Sequence, residues 1–255
     1  MHSARRSVTL VAAQSDPGSG MTSESAPRPE ALGPAARVQR HLPLDRAYHW
    51  LMAASALILM ATAFLPILGW KFEWLPLHWM TGVLLVLLVA AHIGRALIWQ
   101  DWHVMMIDTT DLRDAGRAVM RAVGGSGPSP GKPGKYSLLQ KLYHLAIAVL
   151  MLSLVASGCC MLLKIDTPWW RRDPYWFTPE TWGAIYAVHG FAGMALITML
   201  IIHVYFAFRP DEWWLTQSMF SGFISRRDYM DRCDQNRWVL ADERGSGDLG
   251  RAEET

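Results

Sequence analysis

The sequence predicts an all-α integral membrane protein, a four-helix bundle with both termini cytoplasmic, and three observations predict it. The 255 residues are 51% hydrophobic and only 18% charged, with 13 Trp and 14 Met, where an ordinary globular domain carries about 25% charged residues. The charges are segregated, so that four long apolar runs are left almost free of them. Lys and Arg gather in alternate connections between those runs, as topology in a bilayer requires.

Taken in order, residues 1–40 are rich in Ser, Pro, Gly and Arg without hydrophobic periodicity, which predicts a disordered segment. Residues 41–240 read as one four-span domain, with spans at about 47–68, 75–99, 136–163 and 182–208. Each run is near or above the ~20 residues that cross a hydrocarbon core. Gly69 to Trp74 forms a short turn between the first two. The stretch "VGGSGPSPGKPGK" (123–135) ends a longer polar loop, its breakers stopping any helix. The third connection, "KIDTPWWRRDPYWFTPE" (164–180), holds three prolines and several aromatics, in the manner of an aromatic belt at a membrane interface. Residues 241–255 are expected to be a disordered tail.

The positive-inside rule sets the orientation. Arginines of the N-terminal segment (Arg37, Arg40 and Arg46 among them), the second connection (Arg113, Arg117, Arg121, Lys132, Lys135) and the tail (Arg209, Arg226, Arg227, Arg232, Arg237) fall on one side. Only Lys71, Lys164, Arg171 and Arg172 oppose them. Both termini are therefore expected in the cytoplasm and the protein in a bacterial inner membrane, in contact with lipid. Once this asymmetry is counted, the net charge of +2 carries no sign of nucleic-acid binding. Cys159 and Cys160 are adjacent in a span and Cys233 lies far away, so no disulfide framework is expected. No CxxCH or CxxC motif occurs, which excludes covalent c-type haem and a cysteine-bound metal. A metal must be held by histidine.

Six histidines lie inside the spans, where each ionisable group costs a few kcal/mol and usually faces the bundle interior. His189 and His203 are fourteen residues apart. At roughly 100° and 1.5 Å per residue they return to within about 40° of one helix face, about 21 Å apart. His78 and His92 repeat the spacing in the second span. With the orientation above, His78 and His189 share the outer level, while His49, His92, His144 and His203 fall toward the cytoplasmic side. Two facing imidazoles in an apolar slot suit haem b. Gly82 and Gly193, each four residues after an outer histidine, remove a side chain from the ligand's own face. Zinc or copper would want three or four gathered ligands, and a proton path would want carboxylates, which the spans lack. At the inner level spacing leaves His203 free to pair with His92 or with His49.

The motifs "DRAYHW" (45–50), "LHWMTG" (77–82), "GKYSLLQK" (134–141), "VHGFAG" (188–193), "IIHVYFAF" (201–208) and "SGFISRR" (221–227) occur in order. Together the chain from about Leu42 to Trp238 resembles the cytochrome b (gamma) subunit of respiratory formate dehydrogenases, a family that extends to the membrane cytochromes of related molybdoenzymes and nickel–iron hydrogenases. The resemblance implies a dihaem, four-helix electron-transfer subunit. It would pass electrons between a periplasmic-side iron–sulfur subunit, fed by a molybdopterin catalytic subunit, and membrane quinone. It implies His78 and His189 as ligands of the outer haem and His49 and His203 as ligands of the inner one, with His92 the alternative partner of His203.

The same resemblance places a quinone pocket near the start of the third span, making Tyr136, Ser137, Gln140 and His144 candidates to bond a quinone carbonyl. Ser137 is equally suited to cap the helix. Arg95 is expected to neutralise a haem propionate or to snorkel to the headgroups. Catalysis on substrate would belong to another subunit. The competing classes are a nickel–iron hydrogenase cytochrome b, a stand-alone transmembrane haem b oxidoreductase, and a haem-free anchor or transporter. Transport is disfavoured because no inverted repeat or broken helix is visible.

Overall fold

A computed structural model describes residues 37–99, 102–126 and 128–240. The expected tail, 241–255, and most of the expected N-terminal segment lie outside the described residues. The chain divides into two compact units. A span unit comprises Ala47–Trp102 and Leu142–Arg209, and a polar unit comprises the described parts of Met1–Arg46, His103–Lys141 and Pro210–Thr255.

Four helices are long and apolar enough to cross a membrane: α1 (Pro43–Phe64), α2 (Trp74–Trp99), a fourth helix in chain order, Leu138–Leu162, and a fifth, Pro179–Phe208. Between α2 and the next span lies a helix the sequence reading took for loop, α3 (Thr109–Ala122), so the later spans are α4 and α5. Caps, rather than hydropathy, set the ends. α1 starts four residues earlier than expected because Pro43 is pre-set for the first helical position and the Asp45 carboxylate accepts the Leu42 backbone N–H at 3.2 Å. It stops early because Pro66 disfavours helical geometry at Leu65, and the chain turns through Gly69 at φ 91°. α5 likewise gains residues at its start, where Thr178 accepts from the Thr181 N–H at 3.4 Å and Pro179 follows.

Few large apolar side chains are buried inside the span unit. Leu85, Trp182 and Leu196 are, but apart from Arg95 its other buried positions are small or hydroxylic: Ser55, Thr62, Thr81, Ser157 and Ala192. The exposed Leu, Ile, Val and Phe side chains of the spans face outward in a manner only lipid can match.

The polar unit has its own small core. Residues 37–40, expected to be disordered, are ordered here: β1 (Arg37–Gln39) pairs antiparallel with β2 (Phe223–Ser225), in the register Val38 opposite Ile224. Alternation buries Val38 and Ile224 against Tyr229, Cys233 and Leu240. Two short helices, α6 (Trp213–Ser221) and α7 (Arg226–Arg232), flank β2. The Tyr229 hydroxyl donates to the Trp238 carbonyl at 2.5 Å. Arg40 is 3% exposed, with the rings of Tyr136, Trp214 and Trp238 each 5.3–5.4 Å from its guanidinium carbon, and it donates to the Lys135 carbonyl at 2.6 Å. Burial and the neighbouring Arg40 push the Lys135 ammonium down to about 8.

An ion-pair cluster holds α3. Asp111 accepts from Lys141 Nζ at 2.6 Å and from Arg237 Nη2 at 2.5 Å, and Arg237 Nη1 reaches Asp114 at 3.3 Å. Burial pushes the Asp111 carboxyl up, but the hydrogen bonds from Lys141, the Asp108 region and Arg237 outweigh it and hold the group below its ordinary value.

Candidate functional site

Within the span unit the histidines form pairs. The ring centres of His78 (α2) and His189 (α5) are 6.4 Å apart, and those of His49 (α1) and His203 (α5) are 6.3 Å apart. These separations have a physical meaning. Two metal–nitrogen bonds of about 2 Å, plus the distance from each ligating nitrogen to its own ring centre, put two axial imidazoles about 6 Å apart, centre to centre. A direct hydrogen bond or stacked pair would bring the rings closer.

The orientation of the first pair is fixed by two hydroxyls that the sequence reading did not single out. Thr62 Oγ1 lies 2.8 Å from His78 Nδ1, and Ser157 Oγ lies 2.9 Å from His189 Nδ1. Each hydroxyl has one proton, and each donates it to its own helix: Thr62 to the Ile58 carbonyl at 2.8 Å, Ser157 to the Ser153 carbonyl at 2.6 Å. The hydroxyl oxygens must therefore accept, so both imidazoles carry their proton on Nδ1 and keep the Nε2 lone pair for a metal. This is the usual outer support of a metal-bound histidine.

Glycine completes the setting. A Cβ at Gly158 would come within 3.4 Å of His189 Cε1, so the small residue on α4 is what lets that ring lie close to the α4 backbone. At Gly193, one turn after His189, a Cβ would meet nothing within 4 Å, leaving room beside the ligand on its own helix face. Gly82 is less open, with Leu59 Cδ2 at 3.9 Å. The donor set, its tautomer, the ring separation and the open flank all fit a bis-imidazole haem.

The second pair is supported differently. His203 stacks on Tyr143 of α4 with ring centres 5.5 Å apart and planes at 21°, and the Tyr143 hydroxyl is anchored to the Met199 carbonyl at 3.0 Å. His49 has Trp50 at its edge, 5.0 Å away, and its buried Nδ1 has no hydrogen-bond partner among the described residues. His92 lies elsewhere: its near ring is Tyr48 at 6.0 Å, and its electrostatic neighbour is His144. Arg95 is 8% exposed with its guanidinium 5.7 Å from the Tyr48 ring centre, so it does not snorkel to the surface.

Two of the quinone candidates also start a helix. Ser137 Oγ accepts the Gln140 N–H at 3.3 Å and Gln140 Oε1 accepts the Ser137 N–H at 3.0 Å, a reciprocal capping box that starts α4. These bonds use both side chains as acceptors and leave the Ser137 hydroxyl proton and the Gln140 amide N–H groups, the donors that a quinone carbonyl would need. Tyr136 belongs to the Arg40 cage of the polar unit, and burial raises its phenol above the ordinary value. His144 alone of the four lies in the span unit. No group of three or more His, Cys, Asp or Glu side chains that could hold a bare metal ion occurs among the described residues.

A search of curated proteins gives no match. A family model does match, over residues 40–222, which covers all four spans and all six span histidines. The haem b binding that this family implies agrees with the paired imidazoles, and the match speaks for a membrane cytochrome b without singling out the formate dehydrogenase branch. The chain belongs to the prokaryotic cytochrome b561 family and is a multi-pass inner-membrane, b-type haem electron-transfer protein.

Proposed function

We propose that the protein holds two haems b, one between His78 and His189 and one between His49 and His203, and that it passes electrons between a periplasmic-side iron–sulfur/molybdenum enzyme of formate dehydrogenase type and the membrane quinone pool. The observation that carries this reading is the repeated 6.3–6.4 Å separation of imidazole centres at two levels of one helix. When bound, haem b supplies a one-electron carrier whose iron alternates between ferric and ferrous. The chain's own contribution is to fix the imidazoles through Thr62, Ser157 and Tyr143, and to surround them with apolar helices that exclude water. The Lys and Arg asymmetry supports a cytoplasmic His49–His203 level.

On the quinone side, His144 is the residue best suited to the chemistry. A quinone that takes up two electrons also takes up two protons, and an imidazole, with an ordinary pKa of about 6.5, hands over a proton near neutral pH. His92 beside it extends the same donor group.

A nickel–iron hydrogenase cytochrome b is the second reading, since the family match supports a membrane cytochrome b without selecting its partner enzyme. Haem stoichiometry and copurification decide. The purified chain is expected to give two low-spin haems in a pyridine haemochrome assay, and a complex isolated through it to contain molybdenum with an iron–sulfur protein. Nickel in place of molybdenum selects the second reading, and a colourless, folded chain refutes both.

A further inference from the structure

The sequence reading treated residues 100–135 as a connection, yet α3 within it is an amphipathic helix held mainly by its acidic face. Asp111 and Asp114 point to the polar unit, where Lys141, Arg237 and the Gly131 N–H (3.0 Å from Asp114 Oδ1) bind them. Its start is fixed by a capping box between Asp108 and Asp111. At 100° per residue an apolar stripe lies about 140° from the acidic face, and a basic row runs between the two. The apolar stripe is Leu112, Gly116, Val119 and Val123, with the three large residues 60%, 62% and 74% exposed. The basic row, Arg113, Arg117 and Arg121 at i, i+4 and i+8, is exposed; Arg117 pairs with Asp114 at 3.2 Å and Arg121 donates to Ser129 Oγ at 2.7 Å, both at the surface, where phosphate can compete for them. Met106 and Ile107, just before the helix, are also exposed and extend the apolar stripe.

We propose that α3 is an interfacial helix that lies on the cytoplasmic leaflet, its apolar stripe inserted at the headgroup boundary and its arginines on the phosphates of anionic phospholipid. The helix sits in the connection between two membrane spans, so bilayer is within reach of both its ends. An exposed apolar stripe bordered by regularly spaced arginines is complementary to a surface that is apolar beneath and anionic above. Water satisfies only the basic row. The acidic face, which anionic lipid would repel, is turned away and neutralised by Lys141 and Arg237.

The test uses the full chain in nanodiscs of phosphatidylcholine alone and of phosphatidylcholine mixed with phosphatidylglycerol, read by amide hydrogen exchange. Amides of Thr109–Val123 are expected to exchange more slowly with phosphatidylglycerol, up to about a hundredfold when all three arginines engage, and the difference is expected to shrink at high salt. An R113Q/R117Q/R121Q variant should lose the difference between the two lipids while its haem spectrum is unchanged. A Leu112→Asp/Val119→Asp variant should exchange faster in both. Equal exchange of the unaltered chain in the two lipids overturns the proposal without recourse to any variant. So does a lipid difference that survives removal of the arginines, or protection that follows protein concentration in detergent, which would assign the face to a second copy.

Discussion

The two histidine pairs have nearly the same separation but different supports. His78 and His189 are each locked through Nδ1 by a hydroxyl that has already given its proton to a helix carbonyl. His49 has no such partner among the described residues, and His203 is positioned by the face of Tyr143. A hydrogen bond to Nδ1 makes the opposite nitrogen more basic and fixes the ring's rotation. Stacking fixes the ring plane but leaves basicity alone. The difference teaches that one ring separation can be reached with two electronic settings; if each pair holds a haem as proposed, the two are expected to differ in potential, with that of His78–His189 the lower for its richer ligands.

The largest effect is expected from the ligands themselves. His189→Ala should abolish one low-spin haem and His203→Ala the other, counted by haemochrome, with each remaining haem unchanged in spectrum. His92→Leu should keep both; if it loses one while His49→Ala loses none, the comparison is built on the wrong second pair. Next, Ser157→Ala or Thr62→Val should weaken haem retention at the His78–His189 site about 10–100-fold and raise that haem's midpoint potential in a redox titration, leaving the other haem unmoved. A shift of both haems alike would break the distinction between the two supports. Tyr143→Leu should broaden or shift the optical band of the His203 haem only. The smallest effect is expected from Tyr143→Phe, which keeps the stack and loses the bond to the Met199 carbonyl, for a stability change of about 1 kcal/mol in thermal unfolding.

Much of the span architecture was legible because length and apolar composition are local properties. The shared level of His78 and His189 was legible as well, since the charge asymmetry of the connections orients the spans and puts both near the outer ends of theirs. Thr62 and Ser157 were not. Their bonds join residues 16 and 32 positions apart in sequence, on different helices, and nothing local says which face of α1 or α4 turns toward a histidine. A hydroxyl within an apolar span was the available signal. The span ends moved where a cap decides against hydropathy, as at Leu42–Asp45 and Thr178–Pro179. α3 was hidden by the breakers that follow it, although Leu112, Val119 and Val123 already carried the helical period. Ser137 and Gln140 show the reverse case: their three-residue spacing is itself a capping signature, and the structure shows that cap.

The pairing of β1 with β2 bears on how the chain is made. Val38 meets Ile224, 186 positions later in sequence by their numbers, so this seam cannot close until every span has left the ribosome. During synthesis the early strand waits with its edge unsatisfied, and completing the ribbon becomes a late checkpoint of biogenesis. Polypeptides cut short after α5 would insert normally, yet stay open at that seam and invite proteolysis there.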